Sequence, residues 1–112
     1  MNKWINMLGS LHDAQITDII SGESKNNYNN YLRIIIDAEG AYDSDVKEIL
    51  LYNYRASWKG GRIKDFSFYI NSWWLGHNFS GNVLTLHLQS LNGNRLEEYT
   101  ITIEFDQMEV VR

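Results

Sequence analysis

The sequence predicts a mainly β protein, an antiparallel β-sandwich or flattened barrel of about six strands. Three observations carry that expectation. The runs Val83 to Gln89 and Tyr99 to Phe105 alternate apolar with polar residues, the period of a strand with one dry and one wet face. Between them, Leu91-Asn92-Gly93-Asn94 holds the Asn-Gly pair that tight hairpin turns favour. The remaining apolar runs are short and leave no room for a long intervening helix, and the chain as a whole, with 7 Tyr and 4 Trp, leans toward β structure.

Taking Asn92-Gly93 as the two-residue loop sets a register in which Leu84 faces Ile101, Leu86 faces Tyr99 and His87 faces Glu98. A slip of one residue would set the leucines against Thr and Glu, so this hairpin is the firmest element of the prediction. Working from the other end, Trp4, Ile5, Leu8 and Leu11 are spaced like a helix but interrupted by Gly9-Ser10, which predicts an irregular lead-in. Asp13 to Ser21 is expected as a first strand. Gly22 to Asn30, rich in Gly, Ser, Lys and Asn, is expected as a mobile loop.

Tyr31 to Asp37 predicts a strand with Leu32, Ile34 and Ile36 on one face. Val46 to Tyr54 predicts another whose two faces are both partly apolar, as in a well-covered strand. Helix competes for residues 45–52, because Val46, Ile49 and Leu50 also fit one helical face. Trp58-Lys59-Gly60-Gly61-Arg62 is a flexible connection, and Ile63 to Ile70 alternates Phe66, Phe68 and Ile70 with polar neighbours as a further strand. Asn71 to Gly81 is too aromatic for an ordinary loop and too irregular for a clean strand. Met108, Val110 and Val111 extend the last strand beyond a kink at Asp106-Gln107.

Residues 1–112 are expected to form a single β domain with one core. The net charge of −4 and the scatter of basic residues argue against nucleic acid, since only Arg55, Lys59, Arg62 and Lys64 cluster, as a solvated strand end and loop. The absence of cysteine excludes disulfides, a thiol nucleophile and a Cys-based zinc site. No stretch approaches the roughly 20 apolar residues of a membrane span, and the first residues lack a secretion signal, so no membrane association and a cytoplasmic location are expected.

Chemistry-bearing residues are few. His12-Asp13 pairs an imidazole with a carboxylate, but strand neighbours point to opposite faces, so a structural tie leading into the first strand is preferred to catalysis. His87 opposite Glu98 reads as a modest cross-strand pair. His12, His77 and His87 lack metal-ligand spacing, and Asp43-x-Asp45 lacks the later glycine and glutamate of a calcium loop. No cofactor or metal is expected, and no nucleophile elbow or phosphate loop is present. The aromatic residues point elsewhere: Trp73, Trp74, His77, Trp58 and Tyr54 are the expected partner-contact set, because exposed rings anchor protein interfaces and stack on sugars. If Trp73-Trp74 is extended, one ring faces in and the other out.

Leu11-His12-Asp13-Ala14-Gln15-Ile16, Leu32 to Asp37, Trp74-Leu75-Gly76-His77-Asn78-Phe79 and Tyr99 to Phe105 together resemble small bacterial β-proteins of uncharacterised function. These carry a His-Asp pair leading into the first strand and a similar Ile-x-Phe last strand, and some are similar to immunity proteins found beside polymorphic toxins. The resemblance implies a non-catalytic binder of a protein partner, such as a basic toxin domain. A carbohydrate-binding module is the alternative reading, and a small enzyme acting through His12 or His77 a third. Strand edges without proline also permit a homodimer.

Overall fold

The computed structural model describes residues 4, 6–25, 28–41, 44–58 and 66–112. It is mainly β and antiparallel, with eight strands in one sheet that is not closed into a barrel. In chain order these are β1 (Gln15–Lys25), β2 (Tyr28–Asp37), β3 (Glu48–Tyr52), β4 (Arg55–Trp58), β5 (Trp73–Ser80), β6 (Val83–Asn92), β7 (Arg95–Glu104) and β8 (Gln107–Val111). In space the order is β4-β7-β6-β5-β1-β2-β3-β8.

That order forces the sheet to coil. β7 and β8 stand six positions apart, roughly 29 Å in a flat sheet at about 4.8 Å per strand. Yet only Phe105 and Asp106 connect them, a link that spans about 11 Å at most. The same holds for β3 and β4, joined by Asn53 and Tyr54. Because β3 pairs with β8 and β4 with β7, the two connections form a corner at which a two-stranded ribbon bends from one half of the sheet into the other. Asn53 turns with φ of 53°, and its side-chain amide donates to Asp106 at 2.8 Å across the corner. The bend separates β8 from β7, which the sequence reading joins through a kink, and β4 lies beyond Tyr54, where that reading ends a strand, one reason for eight strands instead of about six.

The two halves enclose one core. Leu32, Ile34, Ile49 and Leu51 from β2 and β3 share it with Leu84, Leu86, Ile101 and Ile103 from β6 and β7. The irregular lead-in packs into it as well: Trp4, Leu8 and Leu11 are buried, and Trp4 Nε1 donates to Asn82 Oδ1 at 2.7 Å. β3 is strand, not helix, and is covered on both faces, since Leu50 and Tyr52 are buried alongside Ile49 and Leu51.

Four expectations are corrected. The β6–β7 hairpin turns on Gly93-Asn94, with Asn92 opposite Arg95, so the register is two residues from the expected one. Gly93 has φ of 64° and Asn94 does not have a positive φ, the pattern of a turn that places glycine first. An even shift keeps every side chain on its expected face, but Leu84 now meets Ile103, and His87 meets Thr100 instead of Glu98. Within the expected strand Ile63 to Ile70, residues 63–65 lie outside the described set and Phe66–Tyr69 is a 3₁₀ turn that buries Tyr69 against Tyr99. Gly22 to Asn30 is not a loop throughout: β1 and β2 continue pairing through Gly22 opposite Tyr31 to Lys25 opposite Tyr28. The aromatic stretch is a strand, β5, with a bulge.

Candidate functional site

The bulge in β5 decides which aromatic side chains reach the surface. Trp74 pairs with Leu88 and Gly76 with His87, leaving Leu75 as an extra residue. Trp74, His77 and Phe79 therefore share the inward face, opposite the buried Leu88, Leu86 and Leu84. Trp74 has 0% exposure, and its indole N–H donates to His77 Nδ1 at 3.0 Å. A file of edge-on rings continues from it through His77, Phe79 and Phe105 to Trp4, at centroid separations of 5.5, 5.9, 6.4 and 5.6 Å. Accepting through Nδ1 sets His77 as the neutral tautomer with its proton on Nε2, and burial pushes its pKa down. Trp74 thus leaves the expected contact set, because it belongs to the packing of the interior, and His77 is half-buried on the same inward face.

The expected split between the two tryptophans holds, with Trp73 as the half-buried outward member. It lies opposite Gln89, which lies opposite Glu98. On either side of this row are two more on the outward face of β5, β6 and β7. Toward the hairpin tip, Leu91 lies opposite Leu96, each 59% exposed. Away from it, Gly76 lies opposite His87, which shares a hydrogen bond of 3.3 Å with Thr100. Over Gly76 is a solvent-open depression of roughly 340 Å³, bordered by Leu75, His87, Glu98 and Thr100.

The other expected residues stand elsewhere. Tyr54 is at the ribbon corner, where the Asn30 side chain accepts its N–H at 2.8 Å and donates to its carbonyl at 3.2 Å. With Asn30, Asn53, Arg55 and Asp106 it lines a second hollow of roughly 200 Å³. Trp58 ends β4 opposite Ile101, and its side chain lies outside the described set. Of the basic cluster, Arg55 pairs with Glu104 at 3.2 Å on the surface, while Lys59, Arg62 and Lys64 lie outside the described residues.

His12 and Asp13 do touch, Nδ1 to Oδ2 at 3.1 Å, contrary to the opposite-face expectation. They occupy the middle of a turn closed by Ala14 N–H donating to the Leu11 carbonyl at 2.8 Å, with Asp13 at φ 72°, not a strand. Both are exposed, and such surface pairs contribute little. His77 faces inward and His87 outward, so the three histidines do not converge. Among the described residues no group of three His, Asp or Glu is placed to hold a metal ion, and Asp43 lies outside them. Among the same residues, no helix is long and apolar enough to cross a membrane.

Sequence reasoning missed Leu91, Leu96 and Gly76 as surface features, and it put Glu98 on the wet face but opposite His87 instead of Gln89. The signal was present for the first pair: Leu91 shares the parity of Thr85, His87 and Gln89, and Leu96 that of Glu98 and Thr100, so each is an apolar residue on a wet face. The chain is thus defined by its structure as a coiled antiparallel β protein carrying a mixed apolar and acidic surface on one half-sheet. Comparison with protein-family models, curated proteins and solved structures gives no match in any of the three.

Proposed function

We propose that this chain is a non-catalytic protein-binding module that docks its partner on the outward face of β5, β6 and β7. The observation that carries the reading is the Leu91–Leu96 pair. Two leucines opposite one another, each 59% exposed on a solvent-facing side of the sheet, gain most by being covered. Trp73 adds an aromatic anchor two strands from Glu98, and the net charge of −4 favours encounter with a basic partner. Neutralisation of a basic toxin domain is the form of this reading that the sequence resemblance suggests.

The test compares the wild-type chain with the double variant Leu91→Ser/Leu96→Ser as bait, identifies by mass spectrometry any protein retained only by wild type, and repeats the binding with both components purified. A partner whose purified affinity falls at least about tenfold in the variant supports the reading. Equal retention by both baits overturns it, as does saturable binding of a glycan panel through Trp73. Sedimentation that shows a wild-type dimer dissolved by the substitution would assign the surface to a second copy of the chain instead.

A further inference from the structure

The depression over Gly76 has a floor without a side chain and a carboxylate at its rim. A Cβ built on Gly76 would meet nothing within 4 Å, so the missing side chain leaves open space. Its φ is not in the left-handed region, so the glycine is not required by the backbone there. The Glu98 carboxylate makes no ion pair or hydrogen bond among the described residues. Its neighbour Glu97 differs, because it accepts the Tyr99 hydroxyl. Arg33, Arg55 and Arg112 are matched to Glu48, Glu104 and Asp45 and supply nothing to this rim.

We infer that this depression receives an arginine side chain of the docked protein, with the guanidinium on Glu98 and the methylene stem over Gly76 against Leu75. The inference rests on the protein-binding reading and names the chemistry of its partner. Size supports a side chain: roughly 340 Å³ is at the small end of ligand pockets, which run from about 300 to 1,000 Å³. Charge selects a cation, since an unpaired carboxylate beside a notch in an acidic protein is complementary to one. Geometry selects arginine over lysine. Thr100 lies two residues from Glu98 on the same face of β7, so a planar fork of donors can engage the carboxylate and reach toward the hydroxyl.

The experiment titrates the full ¹⁵N-labelled chain with a capped Gly-Arg-Gly peptide and with its citrulline analogue, which keeps the shape and loses the charge. The expected result is amide shift changes at Gly76, His87, Glu98 and Thr100, with the arginine peptide binding about tenfold more tightly. Glu98→Gln abolishes that preference, and Gly76→Leu, which fills the open space without strain, removes binding of both peptides. Unchanged melting temperatures establish that both variants are folded. Equal affinity for the two peptides, no shift changes at these residues, or an arginine preference that survives in Glu98→Gln overturns the inference. The docking reading is judged separately, by the effect of Leu91→Ser/Leu96→Ser on partner affinity, which the peptide titration does not touch.

Discussion

Trp73 and Trp74 are consecutive in the chain and lie on opposite sides of the same sheet. Trp74 is sealed among Leu88, His77 and the ring file that runs to Trp4, whereas Trp73 stands half-buried on the polar side with Gln89 and Glu98. One inserted residue sharpens the contrast. Leu75 bulges out of the pairing, so His77 and Phe79 follow Trp74 inward, and Gly76 is left on the outside as the floor of a depression. The same bulge therefore completes the interior and shapes the surface, and substitutions on its two sides should have different consequences.

The largest effect belongs to the inward side. Trp74→Ala removes a fully buried indole and should cost about 3–5 kcal/mol in urea unfolding. A loss below about 1 kcal/mol would mean that the ring is not part of the core. His77→Phe keeps a ring in the file but takes away the acceptor for Trp74 Nε1, leaving a buried donor unpaired at a cost of about 1–3 kcal/mol.

His77 also makes stability depend on pH. Burial lowers its pKa, so the unfolded chain binds the proton first as pH falls below about 6.5. The folded state therefore loses stability as pH falls through about 6.5 and below, and His77→Phe should show a shallower decline there. Equal slopes in thermal melts would contradict the inward, neutral assignment. Tyr69 works in the alkaline range: burial beside Tyr99 pushes its pKa up to about 12, so its stabilising contribution is intact below pH 10 and declines from there toward 12.

The smallest effects belong to the outward side. Trp73→Ala should cost no more than about 1 kcal/mol, and Glu98→Gln should stay within about 0.5 kcal/mol of wild type. A severe loss in Trp73→Ala would remove the contrast between the two tryptophans and place both in the interior.

How much of this was legible in the sequence follows from where each contact is made. The β6–β7 hairpin is readable because alternation and turn chemistry are local, and its register differs by two residues because the chain turns on Gly93-Asn94 and not on Asn92-Gly93, both of which suit a tight turn. The 3₁₀ turn at Phe66–Tyr69 was mistaken for a strand because alternating Phe and Ser satisfies either structure until Tyr69 finds Tyr99. Gly22 looked like loop. Its partner Tyr31 lays a ring where the missing side chain would be, a cross-strand cover that a linear reading does not see. The split between Trp73 and Trp74 follows from strand alternation, but which of them faces inward needs the pairing with β6, and that His77 shares the face of Trp74 needs the bulge. The acidic notch was hidden for the same reason, since Gly76 and Glu98 are brought together only through the pairing of β5, β6 and β7.

The central claim is that the outward face of β5, β6 and β7 is a binding surface not needed for folding. Leu91→Ser/Leu96→Ser tests it most directly, through melting temperature and partner affinity measured on the same purified protein. The expected result is a melting temperature within a few degrees of wild type and at least a tenfold weaker complex. A collapsed melting temperature, or a complex of undiminished affinity, would contradict it.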